Sequence, residues 1–169
     1  YKSKWMANVD LGGGTDKRYV GKIFATNFTD RRRTAVYAQM NNICQNQQVD
    51  ANGNWSYWSD GRFGLFDYRK AGMIMQWDNG KTNKEAGNLR GNANIDVYHN
   101  NMFYNTLNNS ENFLGGGNTQ YTYAKNITDN RDAGVDARVN ITYNIDSINR
   151  LYFYAGYGYQ NSRSNKEGT

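Results

Sequence analysis

Ala133-Gly134-Val135-Asp136-Ala137-Arg138-Val139-Asn140-Ile141-Thr142-Tyr143-Asn144-Ile145 is the stretch that decides the fold class. Every odd position is apolar, and no even position is both apolar and large. Successive side chains of a strand point to opposite faces, so this period of two describes a strand with one apolar face. At ~3.3 Å per residue the run is about 43 Å long. Ordinary strands reach ~5–6 residues. A tilted membrane-crossing strand needs ~9–11. The length therefore favours a transmembrane barrel over a sandwich.

Working outward, the pattern recurs. Trp5, Ala7, Val9 and Leu11 alternate with Met6, Asn8, Asp10 and Gly12. Thr34, Val36, Ala38 and Met40 do so with Ala35, Tyr37, Gln39 and Asn41, and Ala71, Met73, Met75 and Trp77 with Gly72, Ile74, Gln76 and Asp78. Leu89 to Tyr98 is another such run. Tyr19 to Phe28 fits less well: Val20, Phe24 and Phe28 take one phase, Ile23 and Ala25 the other. Arg150 to Gln160 is aromatic on both phases. Turn signals separate the runs at 14–18, 29–32, 78–82 (with Asn79-Gly80) and 146–149. Two connections read as long loops, 42–70 and 105–117.

Composition narrows the class. The 169 residues include 20 Lys+Arg, 15 Asp+Glu, 14 Tyr, one cysteine and no proline. Aromatics at 15% argue against disorder. One cysteine excludes a disulfide scaffold, and no apolar run approaches the ~18 residues of a membrane helix. The net charge of +5 is scattered apart from Arg31-Arg32-Arg33 at an apparent turn, so no nucleic-acid partner is expected.

The alternation of loop lengths gives a topology. If the first strand, about 5–13, runs outward, the connections near 16, 42–70 and 105–117 lie outside. Those near 30, 80 and 147 lie inside, where barrels have short turns. This requires Asn118 to Ile145 to be one pass, its first part (Thr119 to Thr128) extending above the membrane and interrupted near Asp129-Asn130. Trp5, Phe28, Trp77, Tyr143 and Phe153 then form an aromatic girdle at the inner interface. Val135, Ala137, Val139 and Ile141 face lipid.

Several strings resemble the barrel of TonB-dependent outer-membrane receptors, specifically the outer-membrane β-barrel family common in the Bacteroidetes. They are KWMANVDLGGGTDKRYVGKIFATNF, RTAVYAQMNNI, RGNANIDVYHNNMFYN, ENFL and DARVNITYNIDSINRLYFYAGYGYQNSRSN. The resemblance covers most of the chain except 42–70. It implies a 22-strand barrel in the bacterial outer membrane, filled by an N-terminal plug. Partners would be the lipid bilayer, the rest of the barrel and plug, a surface lipoprotein and the TonB energy-transducing complex. The chain shows about seven passes, no plug and no TonB box, so it reads as an internal barrel segment. The implied function is nutrient uptake. The alternative is a soluble or surface-exposed β-protein that binds carbohydrate through an aromatic loop; a complete small barrel of eight strands is a third.

Candidate sites follow from side-chain chemistry. Loop 42–70 holds Trp55, Tyr57, Trp58, Phe63, Phe66 and Tyr68 among Asn, Asp and Gly. Rings flanked by amides suit sugar stacking or partner docking, or else they pack on one another. Trp55 and Tyr57 share one side of an extended segment, as a contact pair; Trp58 takes the other side, as an anchor to the rim. Asp50-Ala51-Asn52-Gly53-Asn54 places oxygens at alternate positions, yet Trp55 and Gly61 stand where an EF-hand needs Gly and an acid, so it reads as a turn. His99 is the only histidine, three residues from Asp96 and so on the opposite face. Cys44 has no disulfide partner. Asp10, Asp96 and Asp136, with Arg90 and Arg138, lie on polar faces as a lumen network or part of a substrate route. No metal, cofactor or enzymatic activity is expected.

Overall fold

The computed structural model describes residues 3–43, 46–58, 65–82, 85–114 and 116–168, the side chains of Asn46 and Trp58 excepted. The described chain is all β. Nine strands follow in order: β1 (Lys4–Gly13), β2 (Tyr19–Phe28), β3 (Arg32–Asn41), β4 (Asn46–Val49), β5 (Trp55–Trp58), β6 (Leu65–Asp78), β7 (Leu89–Leu114), β8 (Asn118–Asn144) and β9 (Arg150–Gly168). Seven form one antiparallel sheet in the order β1-β2-β3-β6-β7-β8-β9, and β4 and β5 make a separate ribbon. The sheet is open, with β1 and β9 at its edges.

Three boundaries differ from the expected ones. β6 begins at Leu65, so the connection after β3 is 42–64 and contains the β4-β5 hairpin. The second expected loop is strand: β7 runs on to Leu114 and pairs residue by residue with β8, from Leu114↔Asn118 downward. Between them Gly116 and Gly117 turn, at φ 90° and 85°, a region that glycine enters without a Cβ penalty. β8 is not interrupted at Asp129-Asn130, which pair with both neighbours (Phe103 and Met102 on β7, Asn165 and Ser164 on β9). Asn118 to Asn144 is thus one continuous strand. The connections 14–18, 42–64 and 115–117 lie at one end of the sheet, and 29–31, 79–88 and 145–149 at the other.

The register carries each strand's alternation across the whole sheet, because directly paired residues share a face. One cross-strand row is Val9, Ile23, Ala38, Ala71, Val97, Val135 and Tyr159. The next on that face is Ala7, Ala25, Val36, Met73, Ile95, Ala137 and Tyr157. No register slip breaks the rows, so a single apolar face spans seven strands. Its larger side chains, among them Val9, Ile23, Val36, Ile95, Val97 and Tyr157, are exposed.

The ambiguous strands are resolved by the same register. In β2, Ile23 and Ala25 belong to the apolar face and Phe24 to the other. Phe24 is apolar there because the β4-β5 hairpin covers it. The buried cluster of Phe24, Ala35, Tyr37 and Val49, with Trp55 and Ile74 against it, lies between the hairpin and the polar face of β2, β3 and β6. In β9, Leu151, Phe153, Ala155, Tyr157 and Tyr159 join the apolar face, while Tyr152 and Tyr154 share the other with Gly156 and Gly158.

Candidate functional site: the polar face and its hairpin

The polar face is built around a charged row at its centre. Tyr37 on β3, Gly72 on β6, Asp96 on β7 and Asp136 on β8 lie in register. Gly72 has no side chain, so the Tyr37 hydroxyl reaches across β6 and donates to Asp96 Oδ1. Lys70 Nζ stands 3.2 Å from Asp96 Oδ2, both side chains being about 15% exposed (14% and 15%). Asp96 and Asp136 are direct cross-strand partners, a repulsive arrangement unless each is neutralised. Lys70 does this for Asp96. For Asp136 it is Arg138, two residues along, whose Nε and Nη2 lie 2.9 and 3.1 Å from the two carboxylate oxygens. Asp10 pairs with Lys22 across the β1-β2 ladder. The expected carboxylates therefore do share one face; Asp96 and Asp136 are each neutralised by a nearby cation, while Lys22, opposite Asp10, donates to the Tyr57 hydroxyl.

The hairpin folds back onto this face. Gln39 Nε2 donates to the Gln47 carbonyl at 2.6 Å, Lys22 Nζ to the Tyr57 hydroxyl at 2.7 Å, and Arg33 to Asn52 Oδ1. Trp55 and Tyr57 share a side, as their spacing requires, and both meet the Lys22 ammonium, 5.6 and 4.6 Å from the ring centroids. That side is turned toward the sheet. Trp55 packs edge-on against Tyr37 at 6.4 Å and lies, half-buried, against the cluster, so it is an anchor and not an open stacking platform. Tyr57 keeps 53% of its surface exposed. The expected anchor, Trp58, has its side chain outside the described residues, as have Phe63 and Cys44 altogether. Phe66 and Tyr68 stack at 5.9 Å, Phe66 being buried.

Asp50 closes the hairpin turn. Its Oδ1 accepts the Asn52 and Asn54 backbone N–H groups at 2.8 and 2.9 Å, and its Oδ2 the Asn54 amide at 3.0 Å. The Asn54 N–H before all, then the other amides, hold its carboxyl below the ordinary carboxylate range. The carboxylate oxygens of this stretch are thus used by the turn itself.

On the opposite face, Val135, Ala137, Val139 and Ile141 line up with Val97, Ile95, Ala93 and Gly91. Trp5, Trp77, Tyr143 and Phe153 sit on that face near the end that carries 29–31, 79–88 and 145–149. Phe28 does not belong with them. It pairs with Lys4 and Arg33 on the polar face, and the Arg33 guanidinium lies 4.8 Å from its ring centroid. The poor periodicity of β2 concealed this. His99 is on the apolar side, opposite to Asp96, beside Arg69. No cluster of three or more His, Cys, Asp or Glu forms among the described residues. No family model matches the chain, and no curated protein or solved structure matches it either.

Proposed function

We propose that the chain is a wall segment of an outer-membrane β-barrel, of the TonB-dependent receptor kind, working in nutrient uptake. One observation carries this reading: seven strands present one unbroken apolar face that nothing in the described chain covers, while the hairpin and the buried cluster occupy the polar face. A water-soluble sandwich has the reverse arrangement, with its apolar rows inside. On β8 the apolar rows run from Ala133 to Tyr143. Those ten steps span about 33 Å at ~3.3 Å each. Tilted by ~45°, they cover about 23 Å, close to the ~25 Å apolar band of barrels.

The two borders of the band support it further. At one end stand Trp5, Trp77, Tyr143 and Phe153, ring types favoured at membrane interfaces. At the other the same face becomes charged: His99 lies beside Arg69, and Arg131 pairs directly with Arg163. Arg69 and Arg131 are each paired with a carboxylate two residues away, Asp67 and Asp129, so the apolar rows end in a belt of ion pairs suited to the headgroup level. The open edges of β1 and β9 are unpaired rows of N–H and C=O groups, which lipid cannot satisfy, so neighbouring strands would complete the wall.

The test is quenching of single-tryptophan variants by brominated lipids. Trp5 and Trp77 are expected to be quenched strongly and Trp55, beneath the hairpin, weakly. Equal and weak quenching of all three would instead favour the carbohydrate-binding soluble protein.

A further inference from the structure

We infer that the polar face holds a binding site for a small solute bearing phosphate or carboxylate groups, at the end where 29–31 and 79–88 meet. A cavity of about 610 Å³ opens there. This is within the ~300–1,000 Å³ of small-molecule sites. On this face its lining includes four cations (Arg31, Arg33, Lys81 and Arg90) against two carboxylates, Asp30 and Asp78, while Arg32 pairs with Trp77 on the apolar face. One of those carboxylates is already engaged, since Asp78 Oδ1 accepts the Gly80 N–H at 2.7 Å.

The lining has the parts such a ligand needs. Arg33 begins a cross-strand row that continues through Gln76, Asn92 and Asn140, so a ladder of amides forms the floor beside a guanidinium. Arg90 lies in the adjoining row, between Asp78 and Thr142. Arg31 and Lys81 come from the two facing connections, Arg31 lying against Gly80. Lys81 is fixed through its Nζ, which donates to the Ala86 carbonyl at 2.8 Å, and Asn88 donates to the Lys81 carbonyl at 2.6 Å. Like charges gathered in this way repel, and an oxyanion reverses the sign of each interaction. Guanidinium forks suit phosphate and carboxylate oxygens, and the amides can take hydroxyl groups of the same ligand. The binding itself does not rest on the membrane reading; in a spanning wall the cavity lies at the lumen mouth on the 29–31 side, where Arg33 also donates to Asn52 of the β4-β5 hairpin.

The experiment is calorimetric titration of the folded full chain in detergent with tripolyphosphate, with citrate and with an oligoglutamate peptide. Saturable binding of tripolyphosphate or citrate is expected, weakening as salt rises. Arg31→Gln and Lys81→Gln, both on connections outside the strands, are each expected to weaken it about tenfold, the loss of one charge-assisted contact. Arg163→Gln, on the apolar face, is expected to leave it unchanged. Failure of both small anions to bind, binding of the peptide alone, or an equal loss with Arg163→Gln would overturn the assignment. Lipid quenching of Trp5 and Trp77 is unaffected by any of these outcomes, so the two readings fail separately.

Discussion

Tyr37 and Asp96 meet over a glycine. They are two strands apart, and the Tyr37 hydroxyl donates to the Asp96 carboxylate across Gly72. A Cβ at Gly72 would stand 2.4 Å from Asp96 Oδ1 and 2.7 Å from both the Tyr37 hydroxyl and the Ile95 carbonyl oxygen. The backbone carbonyl cannot swing away as a side chain can. Gly72→Ala is therefore expected to destabilise the sheet by ~1–3 kcal/mol, the usual cost of overpacking. Gly13→Ala, where a Cβ meets nothing within 4 Å, is the control. Urea unfolding of the two variants in the same detergent separates them; equal midpoints would mean that the Tyr37–Asp96 contact is dispensable.

The faces assigned by the register give a second prediction. Val139 lies between Ala93 and Ala155 on the apolar face, and Asn140 between Asn92 and Tyr154 on the other. Val139→Arg is expected to cost ~2–4 kcal/mol in a bilayer, whereas Asn140→Arg costs little. Unfolding from liposomes measures both, and similar losses at the two positions would refute the assigned lipid face.

Trp55 and Tyr57 are expected to respond differently. Trp55 packs on Tyr37 of the buried cluster, so Trp55→Ala removes an apolar contact that seats the hairpin. A loss of ~0.5–3 kcal/mol is expected, read as faster proteolysis within 42–64. Tyr57 is half exposed and contributes one hydrogen bond from Lys22. Tyr57→Ala is expected to leave the cutting rate nearly unchanged.

Acid should loosen the same hairpin. The Asp50 carboxyl is held below its ordinary range by the Asn54 and Asn52 N–H groups. A carboxylate depressed in the folded state contributes stability that is fully present above its unfolded pKa, near ~3.9, and is lost as pH falls toward the folded value. Proteolysis of 42–64 by an acid-active protease is therefore expected to rise below pH ~4 in the parent and to be independent of pH there in Asp50→Ala.

Much of this architecture is legible in the chain, for one physical reason. Where one face of a strand is apolar throughout, as from Ala133 to Ile145, the period of two is imposed at every residue. It fails in β2 because Phe24 is covered by a hairpin distant in sequence, so both faces of that strand are partly apolar. It fails again in Asn105–Leu114, where both faces of the β7-β8 extension are mostly exposed and no burial enforces alternation. The Asn-rich composition reads as a loop, although the backbone pairs with β8 at every residue. The inward turn of Trp55 has no local signal at all, because it depends on the whole hairpin folding back. The cationic cavity is anticipated only as the run Arg31-Arg32-Arg33. Lys81 and Arg90 join it through the register.

The orientation of the strands supplies the last prediction. The continuous strand β8 places the turns at 14–18 and 116–117 at the same end of the sheet, and 29–31 and 145–149 at the other. If the wall spans the outer membrane with its long β7-β8 hairpin outward, a membrane-impermeant thiol reagent on whole cells reaches the first group only. The chain's one cysteine, Cys44, must be replaced by Ser before labelling. Cysteines are then introduced singly at Thr15, Gly116, Asp30 and Ser147. Thr15 and Ser147 are both exposed and Gly116 sits at an open tip, so accessibility within the fold is not limiting. Thr15→Cys and Gly116→Cys are expected to label on intact cells, and Asp30→Cys and Ser147→Cys only after the cells are broken. Labelling of the second pair alone would invert the orientation while leaving the wall intact. Labelling of all four on intact cells would mean that the sheet does not cross a membrane, and the apolar face would then have to be covered by protein.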